Sequence, residues 1–161
     1  MWDGPGALAA FRRIGVTHVV WLPDSELGTW DAALSAPDGL PLIRVCREGE
    51  AVAIAAGLLL GGKRPIVVVQ CTGLFEAGDA LRNIVHDLKL PLFLIVGVRS
   101  YRAHQAGRGR DTCPLFVEPI VQAWRIPYVL IEPDIDCIDV LALECERAWA
   151  ENRAGIALLA E

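Results

Sequence analysis

Leu42-Ile43-Arg44-Val45-Cys46-Arg47-Glu48-Gly49-Glu50-Ala51-Val52-Ala53-Ile54-Ala55-Ala56-Gly57 is the stretch on which the reading of this chain turns. Its first five residues make a short apolar run of strand length, and the small-residue tract opening at Glu48 reads as a closely packed helix. A strand that feeds straight into a helix is the repeating unit of an open α/β sheet. In such sheets ligands meet the backbone at the carboxyl ends of the strands. Glu48 stands at that junction. The helix dipole favours a carboxylate in a first turn, so position alone is compatible with a local structural role as well as with chemistry.

The same alternation continues on both sides. Toward the amino end, residues 6–14 read as a helix with Ala7, Leu8, Phe11 and Ile14 on one face, followed by a strand over 18–22. The turn Pro23-Asp24-Ser25 offers an N-cap to a helix carrying Leu27, Trp30 and Leu34. Toward the carboxyl end, Gly61-Gly62-Lys63-Arg64-Pro65 stops the helix over 48–61, and a continuously apolar strand over 66–71 ends at Thr72-Gly73. A helix over 74–88, a strand over 92–97, an irregular stretch over 99–113 and a helix over 114–124 follow. A strand over 128–131, a helix over 135–152 with Ile138, Leu141, Leu143, Cys145 and Trp149 inward, and a strand over 155–160 complete the chain. The pattern predicts an α/β fold: a doubly wound, mostly parallel sheet of about six strands with helices on both faces. No composition shift, repeat or low-complexity tract divides residues 1–161, so a single domain is expected.

Composition narrows the function. Of 161 residues, 53% are hydrophobic and 22% charged, which indicates a packed core. A formal net charge of -5 argues against a nucleic-acid binder, because a phosphate backbone needs a basic surface and the only basic cluster, over 99–110, is short. The apolar runs over 16–22, 66–69 and 90–98 fall far below the roughly 20 residues of a membrane helix. The start Met1-Trp2-Asp3-Gly4-Pro5 lacks the layout of a secretory signal, so a cytoplasmic protein is expected. Five cysteines without a CxxC pair suit reduced thiols, with Cys71 and Cys113 placed at a strand end and in a loop. His18, His86 and His104 are scattered, so no metal site is expected on this chain.

Five segments taken together resemble the pyrimidine-binding (PYR) domain of thiamine-diphosphate-dependent decarboxylases, in particular sulfopyruvate decarboxylase α subunits and the matching half of phosphonopyruvate decarboxylase. They are Val20-Trp21-Leu22-Pro23-Asp24-Ser25-Glu26-Leu27, Arg47-Glu48-Gly49-Glu50-Ala51-Val52-Ala53, Gly61-Gly62-Lys63-Arg64-Pro65, Gln70-Cys71-Thr72-Gly73-Leu74, and Pro91-Leu92-Phe93-Leu94-Ile95-Val96-Gly97 with Arg99. The resemblance implies that Glu48 shares a proton with the cofactor's aminopyrimidine ring as a relay; Glu50, two residues on, is the lesser candidate, read otherwise as a solvated or subunit-interface charge. It places Gln70, Thr72, Gly73 and Leu74 against the cofactor. It gives Asp24, Ser25, Cys71, Arg99, His104 and Gln105 to the substrate, with Ser25 also a candidate for proton transfer. An Asp-Ser pair before a helix is also an ordinary cap, and an Arg-rich loop is also an ordinary solvated one. Cys71 replaces the family's Asn, and Phe75-Glu76 replaces its Gly-Asn, departures that bear on substrate identity.

The family's diphosphate-binding half carries Gly-Asp-Gly and a later Asn that hold Mg2+ and the diphosphate. This chain has only Gly78-Asp79-Ala80, within a predicted helix. The resemblance therefore implies a separate β subunit that holds Mg2+ and the diphosphate, a thiamine diphosphate shared between subunits, and α/α pairing within a hetero-oligomer. The expected activity is decarboxylation of a small 2-oxo acid, a substituted pyruvate. Carboligation or a lyase step, and a non-catalytic PYR-like metabolite-binding module, are the alternatives.

Overall fold

β-Branched residues dominate the run that opens at Pro65, and a parallel strand covered on both faces selects that composition. A computed structural model, describing residues 3–24, 27–133 and 136–161, places this strand, β3 (Pro65–Gln70), inside a six-stranded sheet. Proline is tolerated as the first residue of a strand, where it interrupts no ladder.

The other elements follow in chain order. They are α1 (Gly4–Arg13), β1 (His18–Trp21), a 3-10 turn (Leu27–Trp30) running into α2 (Asp31–Leu34), β2 (Leu42–Arg44) and α3 (Glu48–Leu60). Beyond β3 come α4 (Cys71–Glu76), α5 (Gly78–Arg82) with a π-helical turn (Asn83–Asp87), β4 (Phe93–Val98) and α6 (Tyr101–Gln105). The chain ends with α7 (Cys113–Ala123), β5 (Tyr128–Ile131), α8 (Cys137–Ala150) and β6 (Gly155–Ala160). All strand pairs are parallel, in the order β2-β1-β3-β4-β6-β5. The expected doubly wound α/β architecture is the observed one.

Alternate residues of each strand feed two separate cores. Val20, Val67, Val69, Leu94, Val96 and Leu158 face α3, α4, α5 and α7. Val19, Trp21, Ile66, Val68, Ile95 and Leu159 face α1, α2 and α8. The chain leaves β1 for β2 on one side and β3 on the other, which puts a topological switch between β1 and β3 at the carboxyl edge. Among the described residues no helix is long and apolar enough to cross a membrane.

Several expected elements differ in detail. The strand ending at Cys71 stops at Gln70, and the helix expected over 74–88 begins at Cys71 and breaks into α4, α5 and the π turn, so Thr72 and Gly73 are helical. The irregular stretch over 99–113 contains α6, anchored by the buried ring of Tyr101. Gly107, at φ 68°, ends α6, and the chain folds back so tightly that a Cβ on Gly109 would lie 2.8 Å from the His104 backbone. Leu143 is 61% exposed rather than inward; Ala142 and Ala148 take the buried positions of α8, because small residues let that helix sit close on the sheet.

Candidate active site

β2 ends at Arg44, and Val45 donates its N–H to the Trp21 carbonyl before the chain turns into α3. Arg47, extended at φ -145° and ψ 144°, is the N-cap residue, so Glu48 is the first helical residue and projects from the carboxyl edge beside the β1/β3 switch. Its side chain is half-buried, and among the described residues its carboxylate accepts no hydrogen bond.

The carboxylate has its place because Gly73 lacks a side chain. A Cβ on Gly73, in the first turn of α4, would overlap Cγ, Cδ and Oε1 of Glu48. The close approach expected of Gly73 is therefore realised toward Glu48 itself. One turn further along the same face of α4, Glu76 reaches the flanks of Glu48: its Oε2 accepts the Gly49 N–H at 2.9 Å, and its Oε1 accepts Arg47 Nε at 3.2 Å and Nη2 at 2.5 Å. The Gly49 N–H, then the Arg47 guanidinium, hold the Glu76 carboxyl below the usual carboxylate range. Glu50 is exposed and its Oε2 accepts the Cys46 N–H at 3.3 Å, a capping contact at the same helix start. The sequence marks Glu76 as a departure from the family's Gly-Asn, read as bearing on substrate identity; its contact with Arg47 and Gly49 is seen in the fold.

The remaining candidates divide. Gln70 ends β3 and Thr72 lies in the first turn of α4, its Oγ1 donating to Gln70 Oε1 at 3.1 Å. Leu74 and Cys71 are fully buried, so Leu74 meets the core with its side chain. Burial, followed by the neighbouring Cys113, pushes the Cys71 thiol up to about 12. Asp24 caps the turn after β1 by accepting the Leu27 N–H at 2.8 Å; Ser25 lies outside the described residues.

Arg99, just past β4, donates from Nε to Asp111 Oδ2 at 2.6 Å, while Asp111 Oδ1 accepts the Cys113 N–H at 3.0 Å. That N–H, then Arg99, hold the Asp111 carboxyl below its usual value of 3.8. His104, half-buried, and Gln105, exposed, sit on α6. A hollow of about 250 Å3 lined by His86, Lys89, Arg125 and Arg153 lies at the opposite, amino-terminal edge, away from Glu48.

A carboxylate lodged at a sheet switch point, with hydrogen-bonding capacity open, fits the aminopyrimidine end of thiamine diphosphate, whose ring nitrogens ask for a proton-sharing partner. The diphosphate end asks for hard oxygen ligands around Mg2+. Among the described residues no group of three or more His, Cys, Asp or Glu is placed to hold a metal ion, and Gly78-Asp79-Ala80 is wound into α5.

Comparison with known proteins shows what the chain is similar to. Over 93 residues the chain is 31% identical to phosphonopyruvate decarboxylase of Streptomyces viridochromogenes, a match covering 58% of this chain and 23% of that protein. It is 29% identical over 116 residues to sulfopyruvate decarboxylase subunit alpha of Methanococcus maripaludis, covering 71% of this chain and 68% of the subunit. Sulfopyruvate decarboxylase of Methanosarcina acetivorans is 34% identical over 89 residues, covering 55% of this chain and 22% of that protein. The chain thus spans under a quarter of the phosphonopyruvate decarboxylase it matches. In fold it is similar to crystalline benzoylformate decarboxylase of Polynucleobacter necessarius, with TM-score 0.71, 20% identity, and coverage of 99% of this chain and 30% of that one. Residues 6–113 match the model of the thiamine pyrophosphate enzyme N-terminal TPP-binding domain, and the chain belongs to that family.

Proposed function

We propose that residues 1–161 form a single PYR-type domain acting as the α subunit of a two-component, thiamine-diphosphate-dependent 2-oxo acid decarboxylase. The observation that carries this reading is Glu48: a half-buried carboxylate at the β1/β3 switch, given its space by Gly73 and hydrogen-bonded to no described residue. When bound, thiamine diphosphate supplies the nucleophilic carbon and the electron sink for loss of CO2. Glu48 would hold the aminopyrimidine end through its carboxylate and relay a proton there. Gln70 and Thr72 border the same edge, and Gly73 gives the Glu48 side chain its room.

A partner β subunit supplies the oxygen ligands for Mg2+ and the diphosphate, and two copies of this chain pair within the assembly. The names borne by the relatives favour a pyruvate carrying a sulfonate or phosphonate group as substrate. For its acidic end Asp24, Ser25, His104 and Gln105 are the candidates, whereas Cys71 is fully buried and Arg99 is tied to Asp111.

The test is Glu48→Gln in the assembled enzyme. Turnover falls by at least ~10²-fold while co-purification with the β subunit is unchanged, because the amide keeps the shape and loses the exchangeable acid. Decarboxylation at the normal rate by this variant removes Glu48 from the role. Tight binding of thiamine diphosphate and Mg2+ by the isolated chain removes the shared site.

A further inference from the structure

We infer that Glu76 is a positioning residue for Glu48, clasping the helix start on both sides of it; this rests on the role proposed for Glu48. The residue before Glu48 and the residue after it are both tied to one carboxylate on a different helix: Arg47 to Oε1 and the Gly49 N–H to Oε2. The first-turn N–H groups of a helix lack partners within the helix, so an acceptor brought from outside fixes how that turn sits. Glu76 is that acceptor, and it belongs to the same helix face as Gly73, whose missing Cβ makes room for Glu48. α4 therefore acts on Glu48 twice, through a cleared space at Gly73 and through the clasp at Glu76.

The ion pair adds little to stability, since the Arg47 side chain is 77% exposed and Glu76 34% exposed, and exposed pairs are weak. The consequence of the clasp is positional. A first-turn residue that wanders by an ångström carries its carboxyl oxygen out of hydrogen-bonding register with a ring, and reactions depend steeply on such placement. The Arg47 guanidinium, bound by Glu76, also feels the Glu48 charge. Glu76 stands where the resemblance places Asn in the related decarboxylases.

Two variants test the inference in two ways. In the full chain alone, Glu76→Ala raises the amide hydrogen-exchange rate of Gly49 by ~10-fold and Glu76→Gln, which keeps an acceptor for that N–H, restores most of the protection. In the enzyme assembled with its β subunit, Glu76→Ala slows exchange of the C2 proton of bound thiamine diphosphate by ~10-fold, with cofactor affinity and melting temperature close to wild type. Glu48→Gln is run beside it. If Glu48→Gln abolishes C2 exchange and Glu76→Ala leaves both C2 exchange and the Gly49 amide unchanged, the clasp is refuted while the role of Glu48 stands. If Glu48→Gln itself leaves C2 exchange intact, the proposed function falls and takes the role of Glu76 with it. A Glu76→Ala protein that loses fold stability and C2 exchange in parallel shows a merely structural residue and overturns the inference.

Discussion

Two regions border the carboxyl edge of the sheet, and they treat charge in opposite ways. At the α3–α4 junction, surrounding groups are tied to one another so that the carboxylate between them is left open: Glu76 takes Arg47 and the Gly49 N–H, and Gly73 withdraws, around Glu48. In the 99–113 segment, the cation expected to face substrate is tied to the segment itself, through Arg99 to Asp111 and Asp111 to the Cys113 N–H. A charged residue at a sheet edge is thus informative only once its neighbours are known. Glu48 is available for chemistry; at least one donor of Arg99 is engaged in holding a loop.

Gly73→Ala makes the sharpest test of the first region. Alanine favours the helix by about 1 kcal/mol over glycine, and moving the flexible Glu48 side chain off its rotamer costs about the same, so stability is expected to change little. The carboxylate is nevertheless displaced by the new methyl group, and turnover is expected to fall ~10²-fold. Steady-state kinetics set against a denaturation curve distinguish the two effects. Equal losses in both would mean that Gly73 serves packing alone, and the contrast between the regions would break.

Arg99→Ala is the matching change in the second region. With Arg99 43% and Asp111 18% exposed, loss of the pair is expected to lower stability by no more than about 1 kcal/mol. Only a small change in KM for the 2-oxo acid is expected. A tenfold rise in KM with unchanged stability would put the guanidinium on the substrate and make the two regions alike.

The smallest effect is in acid. Because the folded pKa of Asp111 is depressed, its contribution to stability is complete above the unfolded value near 3.8 and is lost as pH falls through the lower folded value. Asp111→Asn should flatten the stability profile below about pH 4 and leave its shape at neutral pH unaltered. Urea titrations across that range measure it; an unchanged acid slope would show that the loop is held by other contacts.

The sheet was readable in the residues because parallel strands covered on both faces demand continuous apolar runs, and β3, β5 and β6 fall within a residue of where those runs lie. Helix ends were less readable. Cys71-Thr72-Gly73 joined α4 because their backbone groups had helical partners available, whereas Gly73 suggested a stop. Leu143 was misplaced because a helix packed through Ala142, Cys145 and Ala148 can leave a leucine in solvent.

By itself the sequence determined the strand–helix alternation, the position of Glu48 at a strand-to-helix junction and the family resemblance, since these depend on local composition and short-range order. Only the tertiary structure decided that residues 25 or more positions apart meet: Gly73 beneath Glu48, Glu76 across Arg47 and Gly49. Their encounter is set by how α3 and α4 pack against adjacent parallel strands, and no periodicity in the chain encodes which side chain of one helix will stop at which amide of another.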